Sequence, residues 1–83
     1  MVEDSEKLKK LLMAGNFVLT VHAQQRMHLR SVSTSDLIEC GRTAFKIKLQ
    51  ENQKYKVKGY DLDGDELSII CVLFNNVVII TVF

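Results

Sequence analysis

Proline and tryptophan are absent from this chain of 83 residues, and cysteine occurs only twice. No repeat or low-complexity segment marks a linker, and 83 residues leave no room for a second core, so one domain spanning 1–83 is expected. A secreted domain of this size usually carries several cysteine pairs. Cys40 and Cys71, without a C-x-x-C or a His/Cys cluster, read instead as buried free thiols in a reducing cytoplasm. The N-terminus MVEDSEKLKK lacks the apolar run of a signal peptide. Residues 67–83 are strongly apolar, but Asn75-Asn76 divides them into halves too short to span a bilayer. A soluble cytoplasmic protein is expected, with no membrane partner.

Net charge is also slight, at +1, with eleven Lys and Arg against ten Asp and Glu. The distribution is uneven. All eleven basic residues precede Gly59, and eight of them lie between Thr20 and Gly59, where the acidic residues are Asp36, Glu39 and Glu51. Apolar residues make up 47% of the chain and charged ones 25%, a globular balance that excludes disorder. So small a core calls for a dense apolar sheet, or a dimer, to supply part of the stability.

What is present divides into a helical and a strand half. SEKLKKLLMAG signals a helix capped by Ser5, with Leu8, Leu11 and Leu12 on one face and Gly15 at a left-handed C-terminal cap. NFVLT is too short for a helix and reads as a brief strand or extended link, with Thr20 as the next cap. VHAQQRMHLR then forms a helix of about ten residues. In SVSTSDLIECG, Ser33 and Asp36 have the spacing of a capping box, and Gly41 is expected to stop this third helix. From Thr43 the period changes to two. FKIKLQ and KYKVKGY alternate lysine with apolar residues, QENQ joins them as a hairpin turn, and DLDGDE makes the next turn. LSIICVLF and VVIITVF, joined at Asn75-Asn76, are apolar enough to be the buried centre of the sheet. The expected fold is α+β, with two or three N-terminal helices packed on a four-stranded antiparallel β-meander.

Two constellations carry chemistry. The alternation puts Lys46, Lys48, Lys54, Lys56 and Lys58 on one face of the first hairpin. They can bind a phosphate backbone, or form a solvated face that discourages edge-to-edge pairing. On the second helix, His22, Arg26 and Arg30 fall four apart and cover an arc of roughly 80°. Ala23 and Met27 lie beside that arc and should face the sheet, so the row sits at the margin of the buried face, whereas Gln24 and His28 point to solvent. Histidine exchanges a proton near neutrality and arginine's planar fork suits phosphate oxygens, so the row fits phosphodiester chemistry without a metal. A boundary arginine more often pairs with a carboxylate, and a lone histidine is more often a satisfied structural residue, so the row also fits a structural role. DLDGD has the composition of a calcium loop but the wrong spacing, with Val72 twelfth from Asp61, so no metal is expected. Tyr55 and Tyr60 can stack on bases or simply pack.

TVHAQQRMHLRSVSTSDL, together with the terminal VVIITVF, resembles the domain of unknown function 4258 (DUF4258), whose members carry H-A-x-x-R-M-x-x-R-x-[IV]-S-x-x-D-[LI] and end on an apolar strand. That family is itself similar to RelE/ParE-type toxins and to barnase-, EndoU- and colicin-like ribonucleases. The resemblance implies a RelE/barnase-like layout and cleavage or binding of RNA without a cofactor. It points to His22, Arg26, Arg30 and Thr81 as catalytic residues. Ser31 stands where members often have glycine, and Phe83 where tyrosine is frequent. The alternative is a non-catalytic interaction module: a partner in a toxin–antitoxin-like pair, or a homodimer built through an open sheet edge, with the His/Arg row structural.

Overall fold

Local signals set most of the element boundaries. The computed structural model describes the backbone from Val2 and the side chains from Asp4 to Phe83. Helix α1 runs Val2–Met13 and ends as its glycine requires. Gly15 takes φ 76°, its N–H donates to the Leu12 carbonyl, and the Asn16 N–H reaches back to Leu11, so the last carbonyls are satisfied. Ser5 lies inside this helix rather than capping it. Strand β1 (Phe17–Leu19) leads to α2 (Val21–Arg30) and then α3 (Thr34–Arg42). Thr20 caps α2 by accepting the Ala23 N–H at 3.0 Å. The α3 capping box is complete: the Asp36 N–H donates to Ser33 Oγ at 3.2 Å, and the Ser33 N–H to the Asp36 carboxylate at 2.8 Å.

The second half is β2 (Lys46–Leu49), a single 3-10 turn at Glu51–Gln53, β3 (Lys54–Tyr60), β4 (Glu66–Phe74) and β5 (Asn76–Val82). Both turns use left-handed residues, Asn52 and Gln53 in one and Gly64 in the other. A further left-handed residue, Asn75, joins β4 to β5. The sheet order is β1-β5-β4-β3-β2. Strands β2 to β5 form the expected antiparallel meander, but the sheet has five strands and is mixed, because β1 joins β5 in parallel. Phe17 pairs with Val77, a partner about sixty positions away, and a three-residue segment carries no local sign of such pairing.

All three helices bury their apolar stripes on one face of the sheet. Leu8 and Leu12 of α1, Ala23 and Met27 of α2, and Leu37 and Cys40 of α3 form one cluster with Val57, Ile69, Cys71, Val77, Ile79 and Val82. Each fully buried leucine or isoleucine contributes about 1.5–3 kcal/mol. Gly41 does not stop α3. It lies within the helix, where a Cβ would stand 2.6 Å from Leu12 Cβ, so its lack of a side chain lets α1 and α3 touch. Gly59 does the same for α3 and β3, since its Cβ would meet the Cys40 carbonyl oxygen at 2.2 Å. Among the described residues, no helix is long and apolar enough to cross a membrane.

The apolar runs of β4 and β5 are thus buried on one face only. Their alternate residues Ile70, Val72, Val78 and Ile80 are half-buried on the other face, which continues into the lysines of β2 and β3.

Candidate active site and nucleic-acid interface

Strand β1 covers β5 only as far as the Leu19–Ile79 pair. Beyond that point the margin of β5 is taken over by α2. The Thr20 N–H donates to the Ile79 carbonyl at 3.1 Å, and Thr20 Oγ1 donates to the Ile80 carbonyl at 3.0 Å. One turn further on, half-buried Arg26 donates its Nε–H to the Val82 carbonyl at 3.5 Å. Polar side chains thereby take the Ile80 and Val82 carbonyls that a neighbouring strand would otherwise bond.

This tie places the helical row. Arg26 abuts the end of β5, while His22 and Arg30, one turn to either side, are exposed. The His22 side chain makes no hydrogen bond or ion pair among the described residues. It is therefore neither buried nor saturated, but no enclosing wall surrounds it. Ala23 and Met27 face the core as their spacing requires.

Thr81 reaches the same margin through an irregularity. Between Ile70 and Cys71 the β4–β5 register shifts, so that Cys71 pairs with Ile79 while Ile70 pairs with Thr81. The extra residue, Ile80, turns Thr81 to the open face and returns Val82 to the core. Thr81 is half-buried and immediately precedes the residue that Arg26 holds.

The five hairpin lysines share the open face. Lys46 pairs directly with Lys58 and Lys48 with Lys56, while Lys54 pairs with Val72. Lys46, Lys48, Gln50, Lys56 and Lys58 line a concavity of about 120 Å³. Like charges directly opposite across a sheet repel. Among the described residues, Lys58 forms an ion pair with Glu66 at 4.0 Å. Lys56 leans away from Lys48's strand, with its Nζ 5.0 Å from the centre of the Phe83 ring.

Other titratable groups divide between frame and core. Backbone N–H groups of Ser33 and Leu62 hold the Asp36 carboxyl below its usual range, which ties the 61–65 turn to the start of α3. Cys40 and Cys71 are buried and unbridged, and burial pushes both thiols up to about 12, so neither is a nucleophile near neutral pH. Tyr55 packs in the core with its hydroxyl 3.3 Å from Asp4, while exposed Tyr60 packs against Phe45. In the DLDGD turn, Asp61 accepts the N–H groups of Asp63 and Asp65, an internal use for the carboxylate.

The outward side of α2 holds a feature that the sequence pattern had not suggested. A shallow depression of about 480 Å³ lies there, lined by Val21, Gln24, Gln25, His28 and Leu29. Val21 and Leu29 are 70% and 75% exposed, so this side is apolar without being core. The spacing of Val21, Gln25 and Leu29, four apart and uncharged, was the available signal. His28 belongs to this outward side, away from the His22 row.

A family model described as Domain of unknown function (DUF4258) matches residues 19–83, which takes in α2, α3 and the strands that follow. No match was found among curated proteins or among solved structures.

Proposed function

The chain belongs to the DUF4258 family, and on that premise we propose that it is an RNA-binding domain that cleaves the phosphodiester bond without a metal. The observation that carries this reading is a convergence at the end of β5. Arg26, from the helical row, bonds to Val82, and the adjacent Thr81 lies in the cross-strand row that continues to Lys56 and Lys48. The helical row thus meets the end of β5 from the covered side through Arg26, while Thr81 and the lysines lie on the open face that reaches the same end.

In this mechanism His22 takes the proton of a 2′-hydroxyl as its oxygen attacks the adjacent phosphorus. The bond to the 5′ oxygen breaks, and that oxygen leaves with a proton returned by the imidazolium. The products are a 2′,3′-cyclic phosphate and a free 5′-hydroxyl. Arg26 has its Nε committed to Val82, so its terminal nitrogens, together with Arg30, oppose the charge on the crowded phosphorus. Thr81 donates a hydrogen bond to a phosphate oxygen.

Purified protein incubated with RNAs of varied sequence, in the presence of a chelator, tests this. Cleavage is expected to fall by about 10²-fold or more in His22→Ala and to persist in His28→Ala. Equal cleavage by wild type and His22→Ala, or none by wild type, overturns it.

The second reading, a non-catalytic interaction module in a toxin–antitoxin-like pair, is favoured by the same Arg26–Val82 bond, because a side chain tied to a backbone carbonyl is bracing a helix. It predicts a stability loss in Arg26→Ala beside a silent His22→Ala.

A further inference from the structure

The open face holds more than a basic patch, because the register aligns it in rows across the strands. One row runs Thr81, Ile70, Lys56, Lys48, and the next runs Phe83, Ser68, Lys58, Lys46. Both begin at the end of β5 beside the Arg26 tie and finish in the four-lysine concavity. Between them lie half-buried Ile70 and Ser68, which is buried beneath its neighbours, and both are uncharged. Strands are spaced by about 4.8 Å, so Lys56 stands about 10 Å and Lys48 about 14 Å from the Thr81 position along this path.

Resting on the reading of this face as an RNA site, we infer that the Lys46–Lys48–Lys56–Lys58 square is a distal phosphate subsite. It holds the backbone of a single strand that crosses the sheet perpendicular to its strands. At the stacked rise of about 3.4 Å per nucleotide, the path from Thr81 to the square spans about three to four nucleotides. The square is arranged for an external anion rather than an internal one. Two directly opposed lysine pairs share a concavity of about 120 Å³, and Glu66 lies at 4.0 Å from Lys58 alone. Lys56, drawn over the Phe83 ring at 5.0 Å, extends positive charge from the square back toward the β5 margin.

The test uses fluorescently labelled oligonucleotides carrying 2′-O-methyl groups throughout, so that binding is read without cleavage. The wild-type chain is compared with the double variant Lys48→Gln/Lys56→Gln, whose folding is checked by thermal denaturation. A hexanucleotide is expected to bind the variant about tenfold more weakly, and its salt slope to fall by about 1.4, or roughly 0.7 for each phosphate no longer neutralised. A dinucleotide, too short to reach the square from the β5 margin, is expected to bind both proteins alike. Equal hexanucleotide binding by the two proteins overturns the subsite, as does an equal loss for both lengths or no binding by wild type. The outcomes separate from those of the cleavage reading: loss of length-dependent binding with RNA cleavage intact removes the subsite alone, whereas silent chemistry with length-dependent binding intact removes only the nuclease.

Discussion

The two faces of the sheet are made by the same strands and obey opposite rules. On the covered face, Val57, Ile69 and Val82 align across three strands beneath the helices and are fully buried. On the open face, shifted by one residue, Lys48, Lys56, Ile70 and Thr81 align in the same way, with like charges directly opposed. The first row is what stability selects. The second lowers stability through repulsion, and the phosphate subsite proposed above would be a reason to keep it.

The largest expected effect breaks the covered face. Gly59→Ala drives a methyl group into the Cys40 carbonyl, a backbone atom that cannot swing aside. The loss is expected to be about 3 kcal/mol, read as a fall in the urea midpoint at unchanged slope. An unchanged midpoint means that α3 does not press on β3 as described.

A smaller effect tests the frame that holds the covering helices. Asp36→Asn weakens the capping box and the grip on Leu62, for an expected loss of about 1 kcal/mol at neutral pH. Because the folded carboxyl titrates below its ordinary value of 3.8, its contribution is in place above that value. It disappears as pH falls through the lower folded value. The gap between wild type and variant in urea unfolding should therefore be full at pH 7 and shrink as pH falls below 3.8; a gap that stays constant contradicts the assigned role.

The smallest effect sharpens the contrast by having the opposite sign. Lys48→Glu replaces the repulsion opposite Lys56 with an attraction. It is expected to raise stability by about 0.5 kcal/mol, roughly 2–4 °C in melting temperature, while weakening oligonucleotide binding. A variant that is both less stable and equally able to bind identifies the lysines as an ordinary solvated face.

Legibility followed the range of the interaction. The caps at Thr20 and Ser33, the glycine end of α1, the lysine alternation and both turns were readable because each depends on residues within a few positions. Gly41 was misread as a stop signal: a glycine near a helix end resembles a terminator until Leu12 of another helix is seen against it. The five-stranded mixed sheet was missed because β1 is defined by its partner. At the candidate site, the His22, Arg26 and Arg30 row was visible as a spacing, but Arg26's bond to Val82 was not, since 56 positions separate them.

Taken by itself, the sequence determined which residues share a helix face or a strand face, because those periods are local properties of the backbone. It also carried the family motif. Only the tertiary structure decided that α2 replaces a strand along the end of β5, and that a shifted register turns Thr81 to the lysine side. Those outcomes depend on hydrogen bonds between segments far apart in the chain, whose pairing is settled only when the sheet closes.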